Sequence, residues 1–148
     1  METQTMVETL VAKYPKLFAR EGPRRNLGVN FGDGWYPLLD ALCEAIQAQC
    51  EKIDLPPKMY PFVEQIKEKF GTLRFYVSGV AHDGPGDFDK ELLGDCDEAI
   101  YNLIGNAEQE SSVTCETCGK PGKQRRKESG WIKTWCEDCY KRDIGSHC

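Results

Sequence analysis

The stretch "CETCGKPGKQRRKESGWIKTWCEDC", residues 115–139, decides the architecture of the C-terminal part of the chain. It contains two C-x2-C pairs separated by 17 residues, a spacing typical of four-cysteine zinc sites. Two thiolates held in one tight turn can bind the same ion, and Gly119 permits such a turn. The sequence therefore predicts one zinc ion with four ligands: Cys115, Cys118, Cys136 and Cys139.

The segment between the two pairs predicts a β-hairpin. Ser129 and Gly130 suit its bend, and residues 131–135 suit the returning strand. A helix is predicted to begin just after Cys136. This layout is typical of a treble clef, or of a zinc ribbon if the helix is absent.

The predicted zinc is structural. Four thiolates leave no open coordination position for water or substrate, and zinc binding contributes on the order of 10 kcal/mol in other small modules. A redox role is disfavoured, because there are two pairs and both lie outside any βαβ pattern. We interpret His147 and Cys148 as terminal residues, since the gap from Cys139 exceeds the usual ligand spacing.

The bulk composition is that of an ordinary globular protein of about one domain. Its 148 residues are 40% hydrophobic and 29% charged, values usual for a chain that builds its own core. The sequence shows neither a run of about 18 apolar residues nor a basic leader before an apolar segment. We therefore expect no membrane span and no signal peptide, and we predict a cytoplasmic location, where disulfides are unexpected.

Charge divides the chain into an acidic body and a mildly basic tail. Residues 1–110 hold 11 Lys and Arg against 19 Asp and Glu, whereas residues 111–148 hold 8 against 5. A basic tail weakly favours an anionic partner, although four zinc-bound thiolates would offset most of its surplus charge. We place the boundary between two predicted domains at the same point, with an α+β domain over 1–110 and a zinc-binding module over 111–148.

Apolar periodicity predicts three helices in the first domain. They cover residues 3–20, a segment that begins near Trp35, and residues 88–110. Pro15 interrupts the first helix, and Asp33 is the expected N-cap of the second. The stripe of the third helix expected to face the core comprises Phe88, Leu92, Cys96, Ala99, Leu103 and Ala107.

The segment "TLRFYV", residues 72–77, predicts a strand. Alternation places Leu73 and Phe75 on one face and Arg74 and Tyr76 on the other.

A partner for this strand is predicted immediately upstream. Residues 62–69 fit either a short helix or a second strand that reverses through Phe70 and Gly71. We favour the hairpin, because a strand needs a neighbour to pair its backbone donors and acceptors. The predicted fold class is therefore α+β, with helices packed on a small antiparallel sheet.

Groups suited to acid–base catalysis are sparse. His82 stands beside Asp83 in the loop "AHDGPGD", a pattern more typical of a solvated turn than of a catalytic pair. Acidic pairs such as Asp87 and Asp89 suit a helix start or a polar face. The sequence contains no nucleophile elbow, phosphate-binding loop or dinucleotide fingerprint. We assign no catalytic residue and expect a protein that is not an enzyme.

One cluster combines aromatic rings with cations and predicts a ligand-binding site. Such a combination suits stacking on a base and pairing with phosphate. The alternative is that its aromatic residues, together with Phe70 and Phe75, belong to the core and its lysines to the solvated surface. The candidate ligand-binding residues are Trp35, Tyr36, Lys67, Lys69, Arg74 and Tyr76.

A second candidate surface lies in the cysteine segment. Its cations suit nucleic acid or a protein partner reached through the zinc module. They are Lys123, Arg125, Arg126, Lys127 and Lys133.

Three strings occur in the order "GDGWYPLLDALCEAI", "QIKEKFGTLRFYV" and "CETCGKPG…GWIKTWCEDC". Over roughly residues 30–142 the chain resembles a widespread family of small proteins of tailed phages and prophages, and "KEKFGTLRFY" is the most specific string. The resemblance implies a phage accessory protein in the host cytoplasm that binds and neutralises a host component. The implied targets are a nucleotide-derived immune signal, sequestered without catalysis in a counter-defence role, or alternatively a nucleic acid or a host protein.

Overall fold

Helices and one β-hairpin form the N-terminal part of the protein. The computed structural model describes residues 3–18, 31–82, 84 and 88–145. The elements up to residue 77 are helices α1 (Thr3–Lys13), α2 (Pro15–Phe18) and α3 (Tyr36–Lys52), and strands β1 (Val63–Lys69) and β2 (Thr72–Val77). Pro15 separates α1 from α2, as expected from its missing N–H. The sequence also predicts a loop over residues 21–34, of which residues 21–30 lie outside the described residues, as do the predicted terminal residues 147–148, Asp83 and Asp87.

The second predicted helix begins at Tyr36, next to its predicted start near Trp35. A 3-10 turn, Asp33–Trp35, precedes α3, so Asp33 lies in that turn and the N-cap position belongs to Trp35. The prediction of Asp33 as the N-cap is therefore wrong. Pro37 occupies the first turn of α3, where its missing N–H costs no hydrogen bond.

Strands β1 and β2 pair antiparallel, so the predicted hairpin is confirmed. Ile66, Leu73 and Phe75 are buried on its inner face. Phe70 and Gly71 form the connection, and both have positive φ, +54° and +81°. The inner face supplies part of the main core, which the helices complete.

Helix α4 spans Lys90–Ser111 and begins at the N-cap Asp89, whose side chain accepts a hydrogen bond from the N–H of Glu91. Its buried stripe consists of Leu93, Cys96, Ile100, Ile104 and Ala107. The predicted stripe shares only two of these positions. The prediction was wrong by one residue at three positions: Leu93, Ile100 and Ile104 are buried in place of Leu92, Ala99 and Leu103. Leu92 is 41% exposed, whereas the adjacent Leu93 is 1% exposed.

The C-terminal part consists of a second hairpin and a helix. They are β3 (Lys123–Arg126), β4 (Ile132–Trp135) and α5 (Glu137–Gly145). Gly130 has a φ of +93° at the bend, and β3 pairs antiparallel with β4. The predicted hairpin and the predicted helix after Cys136 are confirmed, although Trp131 lies just before β4 and is 63% exposed.

Among the described residues, hydrogen bonds join the C-terminal part both to the start of α3 and to the β1–β2 turn. The indole Nε1 of Trp35 donates to the carbonyl oxygen of Thr114 at 2.9 Å. The hydroxyl of Thr134 donates to the carbonyl oxygen of Gly71 in the β1–β2 turn. The two-domain division at residue 110 stays a prediction, and these contacts cross it. Within the described ranges, no helix combines the length and the apolarity needed to cross a bilayer.

Candidate metal centre and cationic sheet face

Four cysteine side chains converge at the junction of the two C-x2-C turns. Their sulfur atoms all lie within 4.8 Å of one another, and three of the four residues are buried. The Sγ atoms of Cys118 and Cys136 are 3.5 Å apart. A tetrahedral ion with metal–sulfur bonds of about 2.3 Å requires sulfur separations of about 3.8 Å, so these residues fit one metal ion. The structure thus brings together all four predicted ligands, Cys115, Cys118, Cys136 and Cys139.

Backbone and side-chain donors surround the sulfurs. The N–H of Cys139 donates to the Sγ of Cys136 at 3.4 Å, and the guanidinium of Arg142 lies 3.7 Å from the Sγ of Cys139. The backbone hydrogen bond lowers the pKa of Cys136 to about 7. Burial raises the pKa of Cys118 and that of Cys139, the latter to about 12. Because a metal binds the thiolate rather than the thiol, the backbone donor favours the metal-binding form at Cys136.

The first cysteine turn packs against the glycines that precede α3. The N–H of Gly34 donates to the carbonyl oxygen of Glu116 at 2.8 Å, and the N–H of Gly32 donates to its carboxylate at 3.1 Å. A Cβ atom at Gly34 would lie 2.3 Å from the carbonyl oxygen of Cys115. The glycines of "FGDGW" therefore allow close backbone approach to the cysteine turn, a role that the sequence analysis missed.

Lys133 of the second hairpin pairs with two nearly buried carboxylates, Glu68 of the first hairpin and Glu116 of the first cysteine turn. Its Nζ lies 2.7 Å from Glu68 and 3.6 Å from Glu116, whose side chains are 9% and 8% exposed. Burial raises the pKa of Glu116. Burial also lowers the pKa of Lys133, but the hydrogen bond that Lys133 donates to Glu68 and the two negative charges outweigh it and raise that pKa. Lys133 thus has a structural role: its ion pairs hold the second hairpin to the first hairpin and to the first cysteine turn, and we call such a residue a fastening residue.

The side chains of two further cations, at or next to the second hairpin, contact other groups of the protein. Arg125 donates to the carbonyl oxygen of Trp135 at 3.0 Å and lies 4.7 Å from the centre of the Tyr140 ring. Lys127 pairs with Asp143 at 3.3 Å and lies 5.0 Å from the centre of the Trp135 ring.

Of the five cations predicted to bind nucleic acid, two remain available to a partner. Lys123 and Arg126 are exposed. Neither has an ion pair with another residue that the structure describes.

The outer face of the first hairpin carries cations that, unlike Lys127 and Lys133, are not paired with acidic residues of the described chain. Arg74 is directly opposite Lys67, and Lys69 is opposite Thr72, so the three cations share one face. None of them has an acidic partner within 4.0 Å among the described residues. The Nε atom of Arg74 is buried and finds no hydrogen-bond partner in the part of the chain that the structure describes. We call this surface the cationic face; its residues are Lys67, Lys69, Phe70, Arg74 and Tyr76.

Each lysine of the cationic face lies beside an exposed aromatic ring. The Nζ of Lys67 is 5.6 Å from the centre of the Tyr76 ring, and the Nζ of Lys69 is 5.5 Å from the centre of the Phe70 ring. Tyr76 is 42% exposed and Phe70 is 64% exposed. From the sequence, Phe70 could belong either to the hydrophobic core or to the ligand-binding cluster. The signal that could have decided it is a bulky residue directly before Gly in a two-residue turn.

The two upstream aromatic candidates are placed differently. Trp35 is fully buried, and its indole N–H is satisfied by Thr114. Its ring therefore packs in the core, out of reach of a ligand, and we remove Trp35 from the candidate ligand-binding set. Tyr36 is partly buried against the main core, and a ligand-binding role for it stays a prediction.

The remaining polar candidates have local structural partners. The Nε2 of His82 lies 3.2 Å from the carboxylate of Asp97, which also accepts a hydrogen bond from the N–H of Val80 at 2.8 Å. Asp97 therefore holds the segment after β2. Asp89 caps α4.

A groove of about 550 Å³ lies between α3 and α4, close to the first cysteine turn. Leu38, Ala41 and Leu103 contribute to its apolar lining, and its charged lining residue is an acid, Glu110. An anionic ligand would be repelled there, so the groove and the cationic face are separate surfaces with different chemistry.

Comparisons with known proteins were made by family, by curated sequence and by structure. No family model, curated protein or solved structure matches this chain. The resemblance to phage and prophage proteins stays a prediction. The functional argument therefore depends on the geometry described above.

Proposed function

We propose that this protein is a non-catalytic binding protein that captures a nucleotide-like anion on its cationic face, and that its cysteine cluster holds a structural zinc ion. The observation that carries the proposal is the cationic face itself. Three cations that have no acidic partner in the described part of the chain lie there beside two exposed aromatic rings. A base can stack on such rings while the phosphates pair with the cations.

Zinc is the metal that four convergent thiolates favour. A cysteine turn, a hairpin and the start of a helix surround the cluster, and this arrangement supports a treble-clef module. With all four positions filled by sulfur, the ion has no site for water or substrate. Its contribution is to hold the C-terminal part together, since its small cluster of buried residues contains little apolar surface.

In the absence of a ligand, the cationic face lowers the stability of the folded protein. Like charges that are directly opposite on one sheet face repel each other, as Arg74 and Lys67 do. A bound phosphate would remove that repulsion by pairing with the guanidinium of Arg74, whose buried Nε has no partner among the described residues. Arginine suits this role, because its planar fork can bind two phosphate oxygens at once.

Nucleic-acid binding through the zinc module is the weaker candidate. Arg125, Lys127 and Lys133 already contact protein groups, so binding a phosphate would require those contacts to break. The counter-defence role implied by the resemblance is compatible with capture of a nucleotide-derived signal. It stays a prediction that needs a biological assay.

The proposal is tested by calorimetric titration of the zinc-loaded protein with ATP and with short oligothymidylates. We expect at least one of these probes to bind. Arg74→Ala should weaken that binding about tenfold or more, the loss of a charged hydrogen bond, without lowering the melting temperature. Arg125→Ala is the matched control, an arginine of the other hairpin, and should leave binding unchanged.

Absence of binding by every probe would overturn the proposal. So would equal losses of affinity in Arg74→Ala and Arg125→Ala. Native mass spectrometry of the same preparation should show one zinc ion per chain, and a protein without zinc would contradict the metal assignment. Conversion of ATP to products during the titration would contradict the non-catalytic role.

A further inference from the structure

The turn of the first hairpin contains a phenylalanine that neither local geometry nor packing explains. Phe70 has a φ of +54° and is followed by Gly71 at +81°. Two consecutive positive φ angles are typical of a type I′ turn, whose first position favours Asn, Asp or Gly. A bulky side chain in this region is strained, and the ring gains no compensating burial because it is 64% exposed.

The second hairpin holds this strained turn in place through hydrogen bonds to its backbone. Thr134 donates to the carbonyl oxygen of Gly71, and Gln124 donates to that of Phe70 at 3.4 Å. A Cβ atom at Gly71 would lie 3.2 Å from Ile132. The turn backbone is therefore fixed by its neighbours, and the ring of Phe70 is displayed at the end of the cationic face.

The cationic face is a row with an aromatic ring near each end. Tyr76 lies near one end of the hairpin and Phe70 at its turn, with Lys67, Arg74 and Lys69 between them. Tyr76 is opposite Gln65, four residues before the end of β1 at Lys69, so Tyr76 and Phe70 lie roughly 15 Å apart along the hairpin. A single nucleotide is too short to contact both rings, whereas successive nucleotides of one strand can do so.

We propose that the ligand of the cationic face is a single-stranded nucleic acid. Its bases stack on Phe70 and Tyr76, and its phosphates pair with Lys67, Lys69 and Arg74. This inference rests on the proposed function and specifies its ligand class. Duplexes are disfavoured, because their base faces are stacked on each other and closed to the rings. Acidic peptides supply charge but no bases to stack.

The length of the bound strand is the first test. Fluorescence anisotropy of the zinc-loaded full chain is measured with labelled oligothymidylates from a dinucleotide to an octanucleotide, with ATP and a duplex as unlabelled competitors. We expect the octanucleotide to bind about tenfold or more tightly than ATP, since each stacked base adds affinity. With three phosphate contacts, the logarithm of affinity should fall with the logarithm of salt at a slope of about −2.

Phe70→Asn is the decisive variant. Asparagine adopts positive φ readily, so the melting temperature should rise. Affinity for the octanucleotide should fall about tenfold through the lost stacking. A purely structural Phe70 would not give this combination. Tyr101→Ala is the control, because Tyr101 is an aromatic residue 52% exposed on α4, and it should leave affinity unchanged.

The outcomes separate this inference from the proposed function. If ATP binds with dependence on Arg74 and the octanucleotide binds no more tightly, the inference fails and the proposed function stands. Equal affinity for duplex and single strand, or full affinity in Phe70→Asn, also overturns the inference. If neither ATP nor any oligonucleotide binds, both fail.

Discussion

The two hairpins carry similar side chains and use them in different ways. On β1–β2, Lys67, Lys69 and Arg74 lie on one face without acidic partners among the described residues. Around β3–β4, Arg125, Lys127 and Lys133 contact carbonyl, carboxylate or aromatic groups of the protein. In the basic C-terminal part, most of the cations therefore contact other groups of the protein. In the acidic N-terminal part, the three cations of the first hairpin have no acidic partner among the described residues.

The difference follows from what each hairpin has to bury. The first hairpin buries Ile66, Leu73 and Phe75 of its inner face in the main core, and that packing does not involve the cations of its outer face. The second hairpin joins a small buried cluster built around three cysteines and Trp135. A module with so little apolar surface depends on a metal and on polar contacts for its stability, and its cations supply those contacts.

The largest expected effect is the loss of the metal from the second hairpin. Cys139→Ser removes one of four sulfurs and should abolish stable zinc binding, which is worth on the order of 10 kcal/mol in comparable modules. Elemental analysis should find much less than one zinc per chain, and the melting temperature should fall sharply. Cys43→Ala, which removes a buried thiol outside the cluster, should retain one zinc. Full zinc in Cys139→Ser would contradict the four-sulfur site.

Removing the cation that joins the two hairpins should have the next largest effect. Lys133→Met keeps the length of the side chain but leaves Glu68 and Glu116 facing each other without a counter-charge. We expect the free energy of unfolding to fall by about 3 kcal/mol, as for other broken buried pairs, measured by urea denaturation. Lys123→Met, at an exposed lysine of β3, should change it little. Equal effects of the two changes would show that Lys133 is not a fastening residue.

A pair of arginine variants tests the contrast between the hairpins directly. Arg125→Ala loses the hydrogen bond to Trp135 and the contact with the Tyr140 ring, so the free energy of unfolding should fall by about 1–2 kcal/mol. Arg74→Ala should leave that free energy unchanged or raise it, because it relieves repulsion with Lys67. Thermal denaturation of both variants measures these changes. A larger loss of unfolding free energy in Arg74→Ala than in Arg125→Ala would contradict the roles given to the two arginines.

The smallest effect is expected from an exposed ion pair outside both hairpins. Asp40 lies 2.6 Å from Lys13 and accepts a hydrogen bond from the hydroxyl of Tyr14 at 2.8 Å. The hydrogen bond from Lys13 lowers the pKa of Asp40 below its ordinary 3.8, helped by Tyr14 and opposed by burial. Its contribution to stability is therefore present above pH 3.8 and is lost as the pH falls through the lowered pKa.

The measurement is the difference in the free energy of unfolding between the wild type and Asp40→Asn at several pH values. We expect a small difference at neutral pH that shrinks as the solution is acidified below pH 3.8. A difference that grows under acid conditions would contradict the sign of the shift.

Features that depend on neighbours along the chain were predicted well. The first hairpin followed from alternation in 72–77, and the four-cysteine cluster followed from its spacing. The stripe of α4 was displaced by one residue at three positions, at Leu92 among them, because apolar residues are adjacent there and periodicity alone did not choose between them. Packing chose Leu93, which is 1% exposed.

The ligand candidates were predicted less well, because accessibility is not a local property. Trp35 combined an aromatic ring with a glycine-rich neighbourhood, but its indole is buried and bonded to Thr114, which is 79 residues away in the sequence. Phe70 was left undecided until its positive φ and its exposure were known.

Spacing and periodicity in the sequence were sufficient to predict the cysteine cluster and both hairpins, because such features depend on backbone geometry over a few residues. Tertiary structure alone distinguished the free cations from the fastened ones. Whether a charged side chain is available depends on which distant groups pack beside it, as Glu68 and Glu116 do beside Lys133. Those contacts form only when the two hairpins meet.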